Sequence, residues 1–537
     1  MRVLLRSIVG LSVLFAGGGA LASAPTSPQS IALLFSFDIH AKGAYPVPGL
    51  TLDSNKALWG VLTVQHGGSL SERAPGVLFK VNGLDTAAGS GTTGISAVDI
   101  PPRAGSATYY ALSFDPNNGT GGGLFLGTSL GDTSKVAGRP RRGAIFQFDP
   151  LRGTAGGKLV GEGFAVLADF DDGGLVGFDG SFGGIGFARL NGTTTYLVGA
   201  ARAGTQGDSM GIYSFPYSTR PTAGSFLKSS VAGVNTFMSP PVEDPISSDW
   251  VDFPGVEGLS STTADTFGVQ GCAGNGCPGN TDFYTNARTG TQAQFGTSYS
   301  AAPDVQTIGI VALANVTAQN PISSDYLWIA GNALVWAQAD TVNNSGSVPP
   351  STSNANVLIA HVFSTSQAGG SGADGSWPMG GLVVDPNDGS SLSPNNNAIY
   401  YGTTEFGGDN GTGTVYCVIP GTDGTLTYHK LADFGVPGSG GPTHPRGELV
   451  AVPDDSGGTW LYGSSVTGGA YNDGTVFELK AGACNAEVTG LVVRPPHAAA
   501  ARPLSPAAQQ ALRNPLLYVG AEKMFKAAGF PITSDGQ

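Results

Sequence analysis

The feature that most constrains this chain is a repeat near its C-terminal end. "YGTTEFGGDNGTGTVYCV" at 401–418 is answered sixty-one residues later by "YGSSVTGGAYNDGTVFEL" at 462–479. Tyr401, Gly402, Gly407, Gly408, Gly413, Thr414 and Val415 fall on Tyr462, Gly463, Gly468, Gly469, Gly474, Thr475 and Val476. Each copy places β-branched and aromatic residues in short alternating runs with glycine pairs marking the bend between them, the pattern of strands joined by tight turns. A phosphate cradle would need a helix after the glycines. A second strand-like run follows instead, and the chain contains no G-x-x-x-x-G-K-[ST].

Extended outward, the unit gains an "LADF" piece (167–170 and 431–434, with "LFSF" at 34–37 of the same shape) and a Pro-x-x-x-Leu piece at Pro46, Pro378 and Pro445. Four strands per unit follow. Anchored on the glycine after the aromatic strand, the units fall at Gly60, Gly127, Gly199, Gly268, Gly331, Gly402 and Gly463, with gaps of 61 to 72 residues. This predicts an all-β fold, a β-propeller of seven four-stranded blades over residues 30–495. The echo of "PISSDYLWIAG" (321–331) in "PISSDWVDFPG" (245–255) offers Gly255 as the alternative fourth anchor and leaves six or eight blades open.

Composition agrees. Only 12% of residues are charged and 84 are glycine, which favours strands and turns over helices. Residues 1–22 carry Arg2 and Arg6, an apolar run and small residues, the layout of a signal peptide cleaved after Ala22. The expected location is therefore secreted, periplasmic or cell-surface. Loss of two arginines and no acid moves the formal charge from −13 to −15, a poor match for nucleic acid. No later apolar run is long enough to span a membrane. Four cysteines in an exported chain read as disulfides; Cys272 with Cys277 and Cys417 with Cys484 is the expected pairing among three. Residues 496–537 turn Ala- and Pro-rich, and Ser505-Pro506 ahead of "AAQQALR" predicts a short helix in this tail.

"LFSFDIHAKGAYPVPGLTLD" together with the two glycine-rich copies resembles the GloVer-type tandem repeat of secreted bacterial proteins. The resemblance covers about three of the seven units. It implies an extracellular propeller-like array and supplies no catalytic residues.

Chemistry is sparse. Six scattered histidines (His40, His66, His361, His429, His444, His497) form no H-E-x-x-H, and no G-x-S-x-G occurs, so no catalytic, cofactor-binding or metal-binding residue is assigned and no cofactor is expected. Asp53, Asp115, Asp385 and Asp454 recur where a carboxylate accepts turn amides. The aromatics ahead of the anchors (Trp59, Phe125, Tyr196, Phe267, Trp328, Tyr401, Tyr462) are expected to pack sheet against sheet, with sugar stacking as the rival reading. The leading function is a non-catalytic propeller binding an extracellular glycan or protein through loops on one face. The alternative is a carbohydrate-active enzyme, a polysaccharide lyase or glycoside hydrolase, with Asp433 and Glu448 the first acids to mutate.

Overall fold

In a computed structural model, side chains are described mainly over 31–170, with gaps that include 65–75, 83–93 and 130–142, and over 373–419 and 427–481; between 178 and 363 the description is largely of backbone strands. The expected signal peptide and tail, and Cys277, lie outside the described residues.

Among the described residues no α-helix occurs, only strands and two short 3-10 turns, Pro102–Ala104 and Gly161–Gly163. The described strands form seven antiparallel sheets of four or five strands each and two small ribbons. In chain order the first sheet runs from Thr51–Leu52 to Gly94–Asp99 and the second from Ser113–Asp115 to Phe164–Asp169. The third runs from Phe178–Leu190 to Leu227–Val231, the fourth from Val234–Thr236 to Asp282–Tyr284, and the fifth from Thr307–Leu313 to Asn356–Val362. The sixth runs from Val383–Val384 to Leu426–Asp433. The seventh is built from Pro442–Pro445 and Val450–Pro453 on one flank of Thr459–Gly468, then Thr475–Ala481, and its last strand is Ala32–Ser36 from the other end of the chain.

That closing strand behaves as a missing copy of the sixth sheet's last strand. Phe434 N–H donates to Gly413 O and Phe37 N–H donates to Gly474 O, both at 2.9 Å. Asp409 N–H bonds the Asp433 carboxylate, and at the equivalent place Ala470 N–H bonds the Ser36 hydroxyl. "LFSF" therefore does for the seventh sheet what "LADF" does for the sixth. The joints between sheets repeat as well: His444 N–H of the seventh sheet donates to Thr412 O of the sixth, and Tyr45 N–H, leading into the first sheet, donates to Asp473 O of the seventh, both at 2.9 Å.

The core lies between sheets rather than within them. Leu449, Leu461 and Phe477 of the seventh sheet share one cluster with Tyr401, Val415 and Leu431 of the sixth. Phe37 and Val476 share another with Leu58, Leu62 and Phe79 of the first sheet, and Trp59 and Val61 share a third with Phe125 and Phe146 of the second. Leu126 and Phe170 meet Ile185, Leu197 and Phe215 of the third sheet in a fourth. Trp59, Phe125 and Tyr401 are fully buried, which supports packing over sugar stacking for these three. Trp59 and Phe125 bring first and second sheets together with ring centroids 4.7 Å apart. At about 25 cal/mol per Å² of buried apolar surface, such joints carry the stability that a lone four-stranded sheet lacks.

The sequence sets the anchor glycines just after the aromatic strand. Gly60, Gly127, Gly199, Gly402 and Gly463 stand inside strands, directly opposite Phe79, Phe146, Tyr213, Tyr416 and Phe477. A Cβ on Gly60, Gly127, Gly402 or Gly463 would strike the facing ring. The fourth sheet keeps this pair as Gly255 opposite Phe267, on the strand equivalent to those of the other anchors, while Gly268 sits on the next strand. Gly255 is the structural equivalent. Gly463→Ala is expected to cost about 1–3 kcal/mol, because Phe477 and Leu449 are both buried and cannot withdraw. Gly161→Ala, with open space around it, should stay within about 0.5 kcal/mol of wild type; urea midpoints of the two variants check the contrast.

The Cys417–Cys484 disulfide forms as expected, with Cα atoms 5.9 Å apart, and ties the sixth sheet to the segment just past Thr475–Ala481 of the seventh.

Candidate functional site

In the segments that lead into the first, sixth and seventh sheets, the chain makes an unusual turn three times. Tyr45, Trp377 and His444 each precede a proline and each has a left-handed backbone, with φ of 61°, 57° and 57°. Large side chains rarely adopt this conformation, so the surrounding structure must hold it. All three rings are buried. Phe406 sits between Trp377 and His444, with centroids at 6.2 and 5.0 Å.

Beneath this cluster lies a buried ion pair. Arg446 Nη2 reaches Glu405 Oε1 at 2.6 Å, with side chains only 5% and 3% exposed. Burial pushes the Glu405 carboxyl above its ordinary range, opposed by the charge and hydrogen bond of Arg446. His444 Nδ1 lies 3.1 Å from Glu405 O, and since a carbonyl only accepts, that nitrogen carries the proton. Burial lowers His444 to about 4, against the carbonyl bond and helped by the Arg446 charge, so the ring is neutral at physiological pH.

Sequence reasoning missed this pair. The signal was present: Glu405 occupies the place of Val466 in the next copy, and Arg446 that of Val47 and Met379 in the Pro-x-x-x-Leu pieces. A charge at a position that sibling repeats fill with apolar residues marks a local partner.

The two acids singled out from sequence have different fates. Asp433 is buried and accepts Asp409 N–H at 2.9 Å, with Lys430 Nζ 3.0 Å from its Oδ2. It clamps a turn, as the Ser36 hydroxyl does in the seventh sheet. Glu448 is half-buried, with its backbone against Gly49 and its carboxyl against Gly381, the residues at its own repeat position in the first and sixth sheets. Burial raises it to about 7.

The turn aspartates act as expected. Asp53, Asp115 and Asp385 each accept the amide two residues on, at 2.8–2.9 Å, while Asp454 reaches the fourth, Gly458. Two also hold the following aromatic, Trp59 Nε1 on Asp53 and the Tyr401 hydroxyl on Asp385. His40 is exposed at a turn, and His361 Nε2 lies 3.1 Å from Asp374 Oδ2 with its ring stacked on Tyr428 at 3.9 Å. His66 and His497 lie outside the described residues. Among the described residues no three His, Cys, Asp or Glu side chains group as a metal site, and no helix is long and apolar enough to cross a membrane.

Glu448 gives a pH test. Its carboxyl is raised in the folded state above the ordinary 4.5 to about 7, so its contribution to stability is full below about pH 4.5 and is lost as pH rises through 7. In EDTA-containing buffer, Glu448→Gln should match wild type at acid pH and exceed it by about 2 kcal/mol above pH 8, half-burial holding the gain below the full linkage value. Urea midpoints at the two extremes read it.

The described chain is thus an all-β, propeller-like assembly of antiparallel sheets. No protein-family model and no curated protein matches the sequence. Among solved structures it aligns with the NanB sialidase of Streptococcus pneumoniae at 7% identity and a TM-score of 0.35, over 84% of this chain and 70% of that one. An α-L-arabinofuranosidase of Fusarium graminearum aligns at 10% identity and a TM-score of 0.34, over 85% and 98%. At these scores neither likeness bears on the chemistry of this chain.

Proposed function

We propose that the chain is an exported, closed β-propeller of seven blades that binds an extracellular glycan or protein through loops on one face, without catalysis, and that it belongs with the GloVer-type repeat proteins. The observation that carries this reading is the use of polar groups. Asp433, the turn aspartates, Glu405, Arg446 and His444 all make bonds within the scaffold. The repeated joint bonds and the strand supplied from the N-terminal end support the ring. The test is a glycan array and a pull-down of surface proteins with the secreted chain, alongside reducing-end and unsaturated-product assays on the polysaccharides bound. Retention without product supports a binding module; steady product release overturns it.

One observation favours a second reading, a carbohydrate-active enzyme. Glu448, held near 7, is a carboxyl that keeps part of its proton at neutral pH, as a general acid of glycoside hydrolysis must. Product release lost in Glu448→Gln would establish it.

A further inference from the structure

In the first six sheets the last strand is reached by running on from the strand it pairs with, as Thr414–Pro420 leads through 421–425 into Leu426–Asp433. The seventh sheet lacks that link. Its last strand, Ala32–Ser36, comes to Thr475–Ala481 from far away in the chain, is half-buried along its whole length, and pairs with a register shift between Leu33 and Phe35. Where the sixth sheet turns into its last strand, the seventh instead carries the chain past Ala481 to Cys484, which is bonded to Cys417 on Thr414–Pro420. Ile31, Cys417, Leu461, Leu479 and Cys484 share one buried cluster. Ile31 is the residue that enters the last strand, whose Ala32 stands opposite Glu478. The bridge and the start of that strand are thus packed in the same core.

We propose that the Cys417–Cys484 disulfide is a redox-sensitive lock on the seventh sheet, standing in for the missing strand-to-strand link. While the bridge is intact, the end of Thr475–Ala481 is held to the sixth sheet and Ala32–Ser36 stays paired to it; reduction frees that end, and Ala32–Ser36 separates while the other sheets keep their pairing. A cross-link over a sequence separation of 67 restrains the segments inside its loop, here the seventh sheet's own strands from Pro442–Pro445 to Thr475–Ala481. Ala32–Ser36 lies outside the loop and is held only through its partner, so it is the first to leave when the loop relaxes. The reductant is a dithiol. One thiolate attacks a bridge sulfur to give a mixed disulfide, the second thiol displaces it, and the reagent leaves as its own disulfide with both protons passed to Cys417 and Cys484. Both cysteines are buried, so the attack waits on local opening of this same seam. The lock does not depend on the ligand-binding function proposed above.

Hydrogen exchange compares wild type with C417A/C484A. Loss of the bridge is expected to speed exchange about tenfold or more at Ala32–Ser36 and Thr475–Ala481, and to leave Leu124–Thr128 of the second sheet within about twofold of wild type. Equal acceleration in all three strands, or none in the first two, overturns the lock. The reverse coupling is read without that variant. In dithiothreitol, with the link followed by peptide mapping, Phe37→Ala should lose the 417–484 bridge about tenfold faster than Phe164→Ala, which truncates an equally buried ring in the second sheet. Equal rates in these two chains overturn the lock even if C417A/C484A does not fold.

Discussion

Phe37→Ala is expected to lower stability by about 3–5 kcal/mol and to remove hydrogen-exchange protection from Thr475–Ala481, more than four hundred residues away in sequence. The Phe37 ring is fully buried and lies 5.1 Å from Phe79 of the first sheet, while its backbone N–H bonds Gly474 O in the seventh. It therefore stands where the strand Ala32–Ser36 meets Thr475–Ala481. Truncation leaves a cavity at that joint and loosens the strand Ala32–Ser36, whose departure would expose the edge of Thr475–Ala481. An ordinary core substitution of the same size would lower the midpoint without this distant, strand-specific loss of protection. If exchange at Thr475–Ala481 is unchanged in a destabilised Phe37→Ala chain, the strand does not close the sheet.

The second large effect is at the buried ion pair. Arg446→Met should destabilise by about 3–5 kcal/mol at neutral pH, because it leaves Glu405 buried without its counter-charge. Glu405 already has a raised carboxyl through burial, and Arg446 supplies both opposing influences. Without the guanidinium, Glu405 rises further. The deficit is then smallest in acid, where the carboxyl is protonated, and grows as pH rises through its folded value. The double variant E405V/R446M places at this joint the residue types its sibling copies carry, Val466 and Met379, and should recover most of the loss. Recovery would show that the pair specifies this joint rather than stabilising it, which agrees with the near-neutral exchange of buried ion pairs for well-packed apolar residues. Urea titrations of the three chains at acid and neutral pH provide the comparison.

Much of this architecture was legible in the sequence, and the reasons are physical. Strand quartets that bury both faces against neighbours must repeat their side chains at fixed places, so "LADF" and "LFSF", and Pro46, Pro378 and Pro445, stand out even where the rest drifts. The Cys417–Cys484 link was legible because neighbouring copies put both residues in reach. The glycine anchors were found but placed just past the aromatic strand, whereas Gly60, Gly127, Gly402 and Gly463 lie inside it. Nothing in one strand's sequence says that the ring of the next strand will lie across it, and that pairing is what excludes a side chain at Gly60 or Gly463. The same pairing identifies Gly255 over Gly268, which spacing alone left open.

The candidate site was less legible. Glu405 and Arg446 are forty-one residues apart and meet only because sixth and seventh sheets pack together. Asp433 drew attention as an acid in a strand-end motif, but the structure uses it as a turn clamp, a role that Ser36 fills equally well. Glu448 kept its interest. Its environment, with its backbone against Gly49 and its carboxyl against Gly381, is set by residues on other sheets and invisible in its own segment.

The closed ring proposed above rests on the strand Ala32–Ser36 completing the seventh sheet. Ala32 stands opposite Glu478 across that closure. A chain carrying A32C and E478C, gently oxidised while folded, should yield on non-reducing peptide mapping a new cross-link between residues 32 and 478 within the monomer. Absence of that cross-link in folded monomer, or its appearance only between chains, would contradict closure of the ring.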